Sequence, residues 1–202
     1  MTERPFPNWL EIYRDQPVEQ MPWYYPELDP DLARALGARG LSHGRALDLG
    51  TGPGTQAYAL AALGFDVTAS DLSPHAVELG RKGSATRGLP IAFVQDDILN
   101  TQLPGGFDVV FDRGCFHVFA PSLRARYVQA VRGLVAASGT FFLKCFSEEQ
   151  PGDVGPYRTS PDEIRQVFGE HFEVLSIERS VYQGTLAQLP RALFCSMQLK
   201  HG

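Results

Sequence analysis

Short apolar runs recur along this chain, and the stretches between them carry helical patterns. The runs predict strands near 45–49, 66–70, 91–95, 107–112 and 139–146. The fifth of them, with Thr140-Phe-Phe-Leu-Lys-Cys-Phe146, is apolar enough to lie inside a parallel sheet covered on both faces. Helix signals fill the gaps. Thr55-Gln-Ala-Tyr-Ala-Leu-Ala-Ala-Leu-Gly64 stops at a glycine, Ser73-Pro74 supplies a cap and a first helical residue, and a helix over 121–136 opens with Pro121-Ser122. An earlier helix is expected from Asp29 to Leu36 and a short one over 160–168. Strand and helix in steady alternation imply an α/β fold with a doubly wound sheet. Two late apolar segments, Phe172 to Tyr182 and Arg191 to Leu199, have no helix between them and predict an antiparallel hairpin.

The 202 residues suit one domain, and the regular spacing of elements shows no internal linker. Composition then narrows the partners. The net charge is −5, from 18 Lys and Arg against 23 Asp and Glu, with no basic run. That is not the electrostatic footprint of a nucleic-acid binder, so a small-molecule partner is expected. Cys115, Cys145 and Cys195 form no C-x-x-C pair and predict buried, reduced thiols. No apolar run approaches the ~20 residues of a membrane span, and the first residues lack the apolar core of a signal peptide. The expected setting is cytoplasmic, away from membranes.

The most informative stretch is Ala46-Leu-Asp-Leu-Gly-Thr-Gly-Pro-Gly54, an apolar strand running into a glycine-rich turn ahead of a helix. Glycines there let the backbone turn with positive φ and approach a ligand. A dinucleotide fingerprint requires G-x-G-x-x-G, but Thr55 occupies its last position and the third glycine comes one residue early. Asp48, four places before the second glycine, is also foreign to that fingerprint. A nicotinamide cofactor is disfavoured. The second strand ends at Asp71, where nucleoside-binding α/β folds place a carboxylate for ribose hydroxyls. Ser73 can cap the next helix while Asp71 faces the ligand.

The form acidic-x-G-x-G-x-G resembles motif I of the class I S-adenosylmethionine (SAM) dependent methyltransferases. This resemblance implies a Rossmann-like sheet of seven strands, mostly parallel with an antiparallel last strand and helices on both faces. It implies SAM as cofactor, with Asp48, Gly50, Thr51, Gly52 and Gly54 around its methionine part and Asp71 with Leu72 at the ribose. Asp97 and the Ile98 backbone N–H, after the third strand, would read the adenine, with Asp96 a solvated neighbour. Asp112 ends the fourth strand at the same site. Metal is not implied, because Cys115-x-His117 alone is too small a set for zinc.

Phe107-Asp-Val-Val-Phe-Asp-Arg-Gly-Cys-Phe-His-Val-Phe119 is similar to the branch of thiopurine, thiol, halide and tellurite methyltransferases, which act on small polarizable nucleophiles. Met21-Pro-Trp-Tyr-Tyr-Pro26 resembles the Pro-Trp element of that branch, so residues 1–40 are expected to form an arm over the cofactor with Trp23 near SAM. Trp23 could equally staple the arm to the core. For the acceptor the candidates are Arg113, Tyr157 and Arg158, placed to position the nucleophile. Each has a structural alternative: an ion pair for Arg113, loop packing for Tyr157, and capping for Arg158. No dedicated base is required for a thiol of pKa ~8.5, which is already partly ionised near neutral pH. O- or N-methylation of a metabolite and an idle SAM-binding protein stay open as alternatives.

Overall fold

The structure, a computed structural model, describes residues 6–200. The first five residues of the expected arm lie outside that range. Seven strands form one sheet: β1 (Arg45–Leu49), β2 (Asp66–Asp71), β3 (Ile91–Gln95), β4 (Phe107–Arg113), β5 (Val135–Phe146), β6 (Phe172–Val181) and β7 (Arg191–Leu199). Their order is β3-β2-β1-β4-β5-β7-β6. Strand β7 runs antiparallel to both β5 and β6, and the other pairings are parallel. The expected Rossmann-like sheet is thus present, with the last strand inserted between its two predecessors.

Six α-helices accompany the sheet: α1 (Ile12–Asp15), α2 (Pro30–Ala38), α3 (Thr55–Ala62), α4 (Pro74–Arg87), α5 (Pro121–Leu134) and α6 (Pro161–Phe168). Local chemistry sets their ends. Ser73 caps α4 by accepting the Ala76 N–H, and Gly88 closes it in the left-handed region at φ 65°. Ser160 and Glu163 form a reciprocal capping box on α6. Helix α5 stops two residues short of the expected 136, because Val135 already pairs with Phe107 in the sheet.

Strand β5 is buried on both faces, as its apolar run required. Phe141 joins Tyr127, Phe168 and Phe172 in the core on one side, whereas Phe142 joins Leu32, Leu60 and Phe93 on the other. A third, smaller cluster seats the N-terminal arm, where Ile12, Tyr13 and Met21 pack on Ala76 of α4. Cys145 and Cys195 are buried free thiols, and Cys115 is free and partly exposed. Among the described residues no helix is long and apolar enough to cross a membrane.

Candidate functional site

Strand β1 delivers the glycine loop to the carboxyl edge of the sheet, where open α/β folds bind ligands. Gly50 and Gly52 adopt φ of +67° and +54°. A side chain is excluded there on a second count. A Cβ on Gly50 would lie 2.9 Å from the Cys115 Cβ, and one on Gly52 would lie 2.8 Å from the Tyr13 hydroxyl. Asp48 is buried beneath the loop and accepts the Thr51 hydroxyl at 2.5 Å. Burial pushes its carboxyl up to about 6, with the Thr51 bond opposing.

Asp71 accepts the Gly52 N–H and the Ser73 N–H, each at 2.8 Å, one on either carboxylate oxygen. Burial raises its pKa against those two bonds. An ionised carboxylate offers about four acceptor positions, so two N–H donors leave capacity for hydroxyl groups. Leu72 beside it is exposed. A glycine cradle that Cβ atoms would fill, next to a partly engaged buried acid, fits the methionine and ribose parts of SAM.

At the end of β3 the two acids are engaged differently, and only Asp96 departs from expectation. Asp97 accepts the Leu99 N–H at 3.0 Å and the Asn100 side-chain amide at 2.6 Å, capping the turn that begins at buried Ile98. Asp96, expected to be solvated, accepts the Gln102 N–H at 3.0 Å. Its Oδ2 is buried with no partner among the described residues. The unmet acceptor atom at this edge belongs to Asp96.

Asp112 requires a correction. Its carboxylate takes the N–H groups of Gly114 at 2.9 Å and of Cys115 and Phe116 at 2.8 Å, together with the Tyr127 hydroxyl. Four donors exhaust it, so it folds the turn after β4 and has nothing left for a cofactor. Burial holds this carboxyl up at about 6 despite the donors.

Arg113 forms the ion pair that was one of its two expected roles. Its Nε donates to Asp29 at 3.0 Å, Nη1 to the Trp23 carbonyl at 3.1 Å and Nη2 to the Gln183 carbonyl at 2.6 Å, with its Cζ 4.5 Å from the centre of the Tyr182 ring. Arg158 donates to the carbonyls of Pro156 and Pro151, and Tyr157 bonds through its N–H to the His117 carbonyl at 2.8 Å. Both hold the loop that follows β5.

The arm closes over the glycine loop. Tyr13, Met21 and Trp23 face Asp48, Gly50 and Gly52 across a cavity of about 40 Å³. Trp23 also meets Trp9 edge-on at 5.8 Å, a contact that staples the arm. Behind the arm lies a charged cluster that sequence reasoning missed. Lys144, wholly buried on β5, bonds Asp29 at 2.8 and 2.9 Å, Asp31 at 2.8 Å and the Gln183 side chain at 2.6 Å. The one available signal was a lysine in an otherwise apolar strand.

His117 lies buried in the short turn after β4. Its Nδ1 accepts the Phe146 N–H at 3.1 Å, which places the proton of the neutral ring on Nε2. Burial, with Arg113 and Arg158 adding repulsion, lowers its pKa to about 3.

Sheet order, glycine cradle and strand-end acids together define a class I SAM-dependent methyltransferase. Comparison with known proteins agrees. Residues 46–139 match the family model for a methyltransferase domain. A 2-heptyl-1-hydroxyquinolin-4(1H)-one methyltransferase of Mycobacteroides abscessus is 29% identical over 86% of this chain and 80% of its own length. A probable thiol methyltransferase of Arabidopsis thaliana is 30% identical over 77% of this chain and 70% of its own. A structure from work on conversion of a disulfide bond into a thioacetal group during echinomycin biosynthesis superposes with a TM-score of 0.81 at 27% identity, covering 94% of this chain and 90% of the other. The chain belongs to the class I SAM-dependent methyltransferases, in the branch that includes thiol methyltransferases.

Proposed function

We propose that the protein transfers the methyl group of SAM to a small soft nucleophile: a thiol, a thiopurine, sulfide, a selenium or tellurium species, or a halide. SAM supplies an electrophilic methyl group on a sulfonium. The residues proposed to hold it are Asp48, Gly50, Thr51, Gly52, Gly54, Asp71, Leu72, Asp97, Ile98 and Trp23, with the arm excluding water. The observation that carries the reading is the state of the groups beyond β4 and β5. Asp112 is taken by four donors, Asp29 and Asp31 by cations, and the Nδ1 of His117 by a backbone N–H. No side chain among these is arranged to remove a proton from an alcohol or amine. Nucleophiles that are anionic before they bind need no such group, and alignment alone lowers a displacement barrier by roughly 7 to 11 kcal/mol. The neutral Nε2–H of His117 and the loop held by Tyr157 and Arg158 then serve to position the anion.

A second reading is O-methylation of an acidic N-hydroxy heteroarene, favoured by similarity over most of the chain to the hydroxyquinolinone methyltransferase. One panel separates the readings. Release of S-adenosylhomocysteine is followed with aromatic thiols, sulfide, iodide, tellurite, an N-hydroxyquinolinone, and a neutral alcohol and amine. Turnover of the sulfur or halide acceptors supports the first reading, and turnover of the N-hydroxy compound alone supports the second. Turnover of the alcohol or amine alone refutes both.

A further inference from the structure

Three consecutive carbonyls of the arm are gripped from outside it. The Thr185 hydroxyl donates to Met21 O at 3.1 Å, the Thr185 N–H to Pro22 O at 3.2 Å, and Arg113 Nη1 to Trp23 O at 3.1 Å. Two of the three grips come from the loop between β6 and β7. That loop is itself anchored, because Gln183 receives Arg113 on its carbonyl and Lys144 on its side chain.

The grip depends on how closely the two backbones approach. At Gly184 a Cβ would lie 2.0 Å from the Pro22 carbonyl oxygen, 3.1 Å from its carbon and 3.4 Å from the Trp23 Cα. These are backbone atoms that cannot swing aside as a flexible side chain would. Any residue other than glycine at 184 must force the arm and this loop apart. The inner side of the same stretch is what covers the glycine loop, through Tyr13, Met21 and Trp23. The space beneath, about 40 Å³, has room for a few waters, whereas small-molecule sites run to roughly 300–1,000 Å³.

We infer that Gly184 is a positioning residue for the cofactor. The loop between β6 and β7 clasps residues 21–23 and so sets Tyr13 and Trp23 over the glycine loop, although Gly184 lines no part of that cleft. The inference needs SAM binding but is independent of which acceptor is methylated.

The test compares full-length wild type with Gly184→Ala and Thr185→Val. Both tryptophans of the chain, Trp9 and Trp23, lie in the arm, so intrinsic tryptophan emission reports the arm alone. Gly184→Ala is expected to red-shift that emission, to speed tryptic cleavage after Arg14 and to raise the calorimetric Kd for SAM at least about tenfold, with the melting temperature held within a few degrees. Thr185→Val, which removes one grip and adds no bulk, moves the same readouts in the same direction, with about two- to tenfold in Kd. A released arm with unchanged SAM affinity overturns the inference, as does an arm that stays protected in both variants. Should Gly184→Ala not fold, unchanged emission, cleavage and affinity in Thr185→Val overturn it alone. Wild type that binds no SAM at all refutes the cofactor assignment, a distinct outcome.

Discussion

Two groups of acids stand side by side at the carboxyl edge of the sheet and are satisfied by opposite means. Asp48, Asp71 and Asp112 are held by backbone N–H groups and hydroxyls. Asp29 and Asp31 are held by Lys144 and Arg113, with Asp29 and Lys144 wholly buried. Neutral donors do not fully offset the cost of burying a charge, so Asp48 and Asp112 titrate near 6. For Asp31 burial pushes upward too, but the bonds from Lys144, Ser180 and Arg34 outweigh it and hold the carboxyl below its ordinary value. The first group therefore makes a polar, proton-tolerant floor beneath the glycine loop and the turn after β4. The second is a fixed ionic brace that joins arm, helix α2 and the far strands.

Removing one partner from the brace breaks the comparison most severely. Lys144→Met leaves two carboxylates facing an apolar strand, and loss of one member of a buried pair costs about 3–5 kcal/mol. Urea unfolding should show that loss, and the double variant Lys144→Met, Asp29→Leu should not recover it, because Arg113 then loses its own carboxylate. Asp48→Asn, which keeps an acceptor for Thr51 and strands no charge, should cost about 1 kcal/mol. Equal losses for Lys144→Met and Asp48→Asn would show that the two groups do not differ. The next effect concerns ligand, not fold. Asp71→Asn retains an oxygen for one N–H but loses the charge offered to ribose hydroxyls, and SAM affinity by calorimetry should fall by about 1.5–3 kcal/mol. Unchanged affinity would remove Asp71 from the cofactor site.

Legibility in the sequence followed the same divide. The floor depends on local rules: a tight turn that admits only glycine, an acid at a strand end, a serine ahead of a proline. Gly50, Gly52 and Asp71 were therefore readable from a few neighbouring residues. The brace joins residues that only the fold brings together, since Lys144 and Asp29 are 115 positions apart and Arg113 and Asp29 are 84 apart. Sequence could name an ion pair as one role for Arg113 without naming the partner, and it passed over Lys144 inside an apolar run. Asp112 was misassigned for a related reason. An acid ending a strand reads as a ligand group until the following turn is seen folding back onto it, with Phe116 N–H four residues on and Tyr127 fifteen on.

His117 sharpens the contrast through pH. Its folded value is about 3 against an ordinary 6.5, so between those limits the unfolded chain takes up a proton that the folded chain refuses. Stability from this residue is complete above about 6.5 and is lost as pH falls. Asp48 and Asp112 act in the opposite sense over part of that window, because their raised values near 6 let the folded state bind protons first. Subtracting a variant isolates the histidine. His117→Asn keeps an acceptor for Phe146 N–H and removes the titration, so wild type should lose up to about 1.4 kcal/mol per pH unit relative to the variant below 6.5. Urea midpoints at pH 8, 6 and 5 measure this, and parallel curves would mean that His117 is protonated in the folded protein.

The smallest effect lies at the outer rim of the brace. Arg34 bonds Asp31 at 3.0 Å and Glu178 at 2.9 Å, geometry as good as that of Lys144. Distance alone would rank these contacts with the buried ones. Exposure separates them: Arg34 is 53% and Glu178 42% accessible, whereas Lys144 and Asp29 are both at 0%. In water the attraction is screened, and the two long side chains give up rotamer freedom to meet, so exposed pairs contribute about 0.2–1 kcal/mol. Glu178→Gln should therefore lower the unfolding free energy from urea titration by less than about 0.5 kcal/mol, and 0.5 M salt should erase even that. A cost near that of Lys144→Met would mean that the charges act as one network out to the solvent, and that burial does not set the boundary between brace and surface.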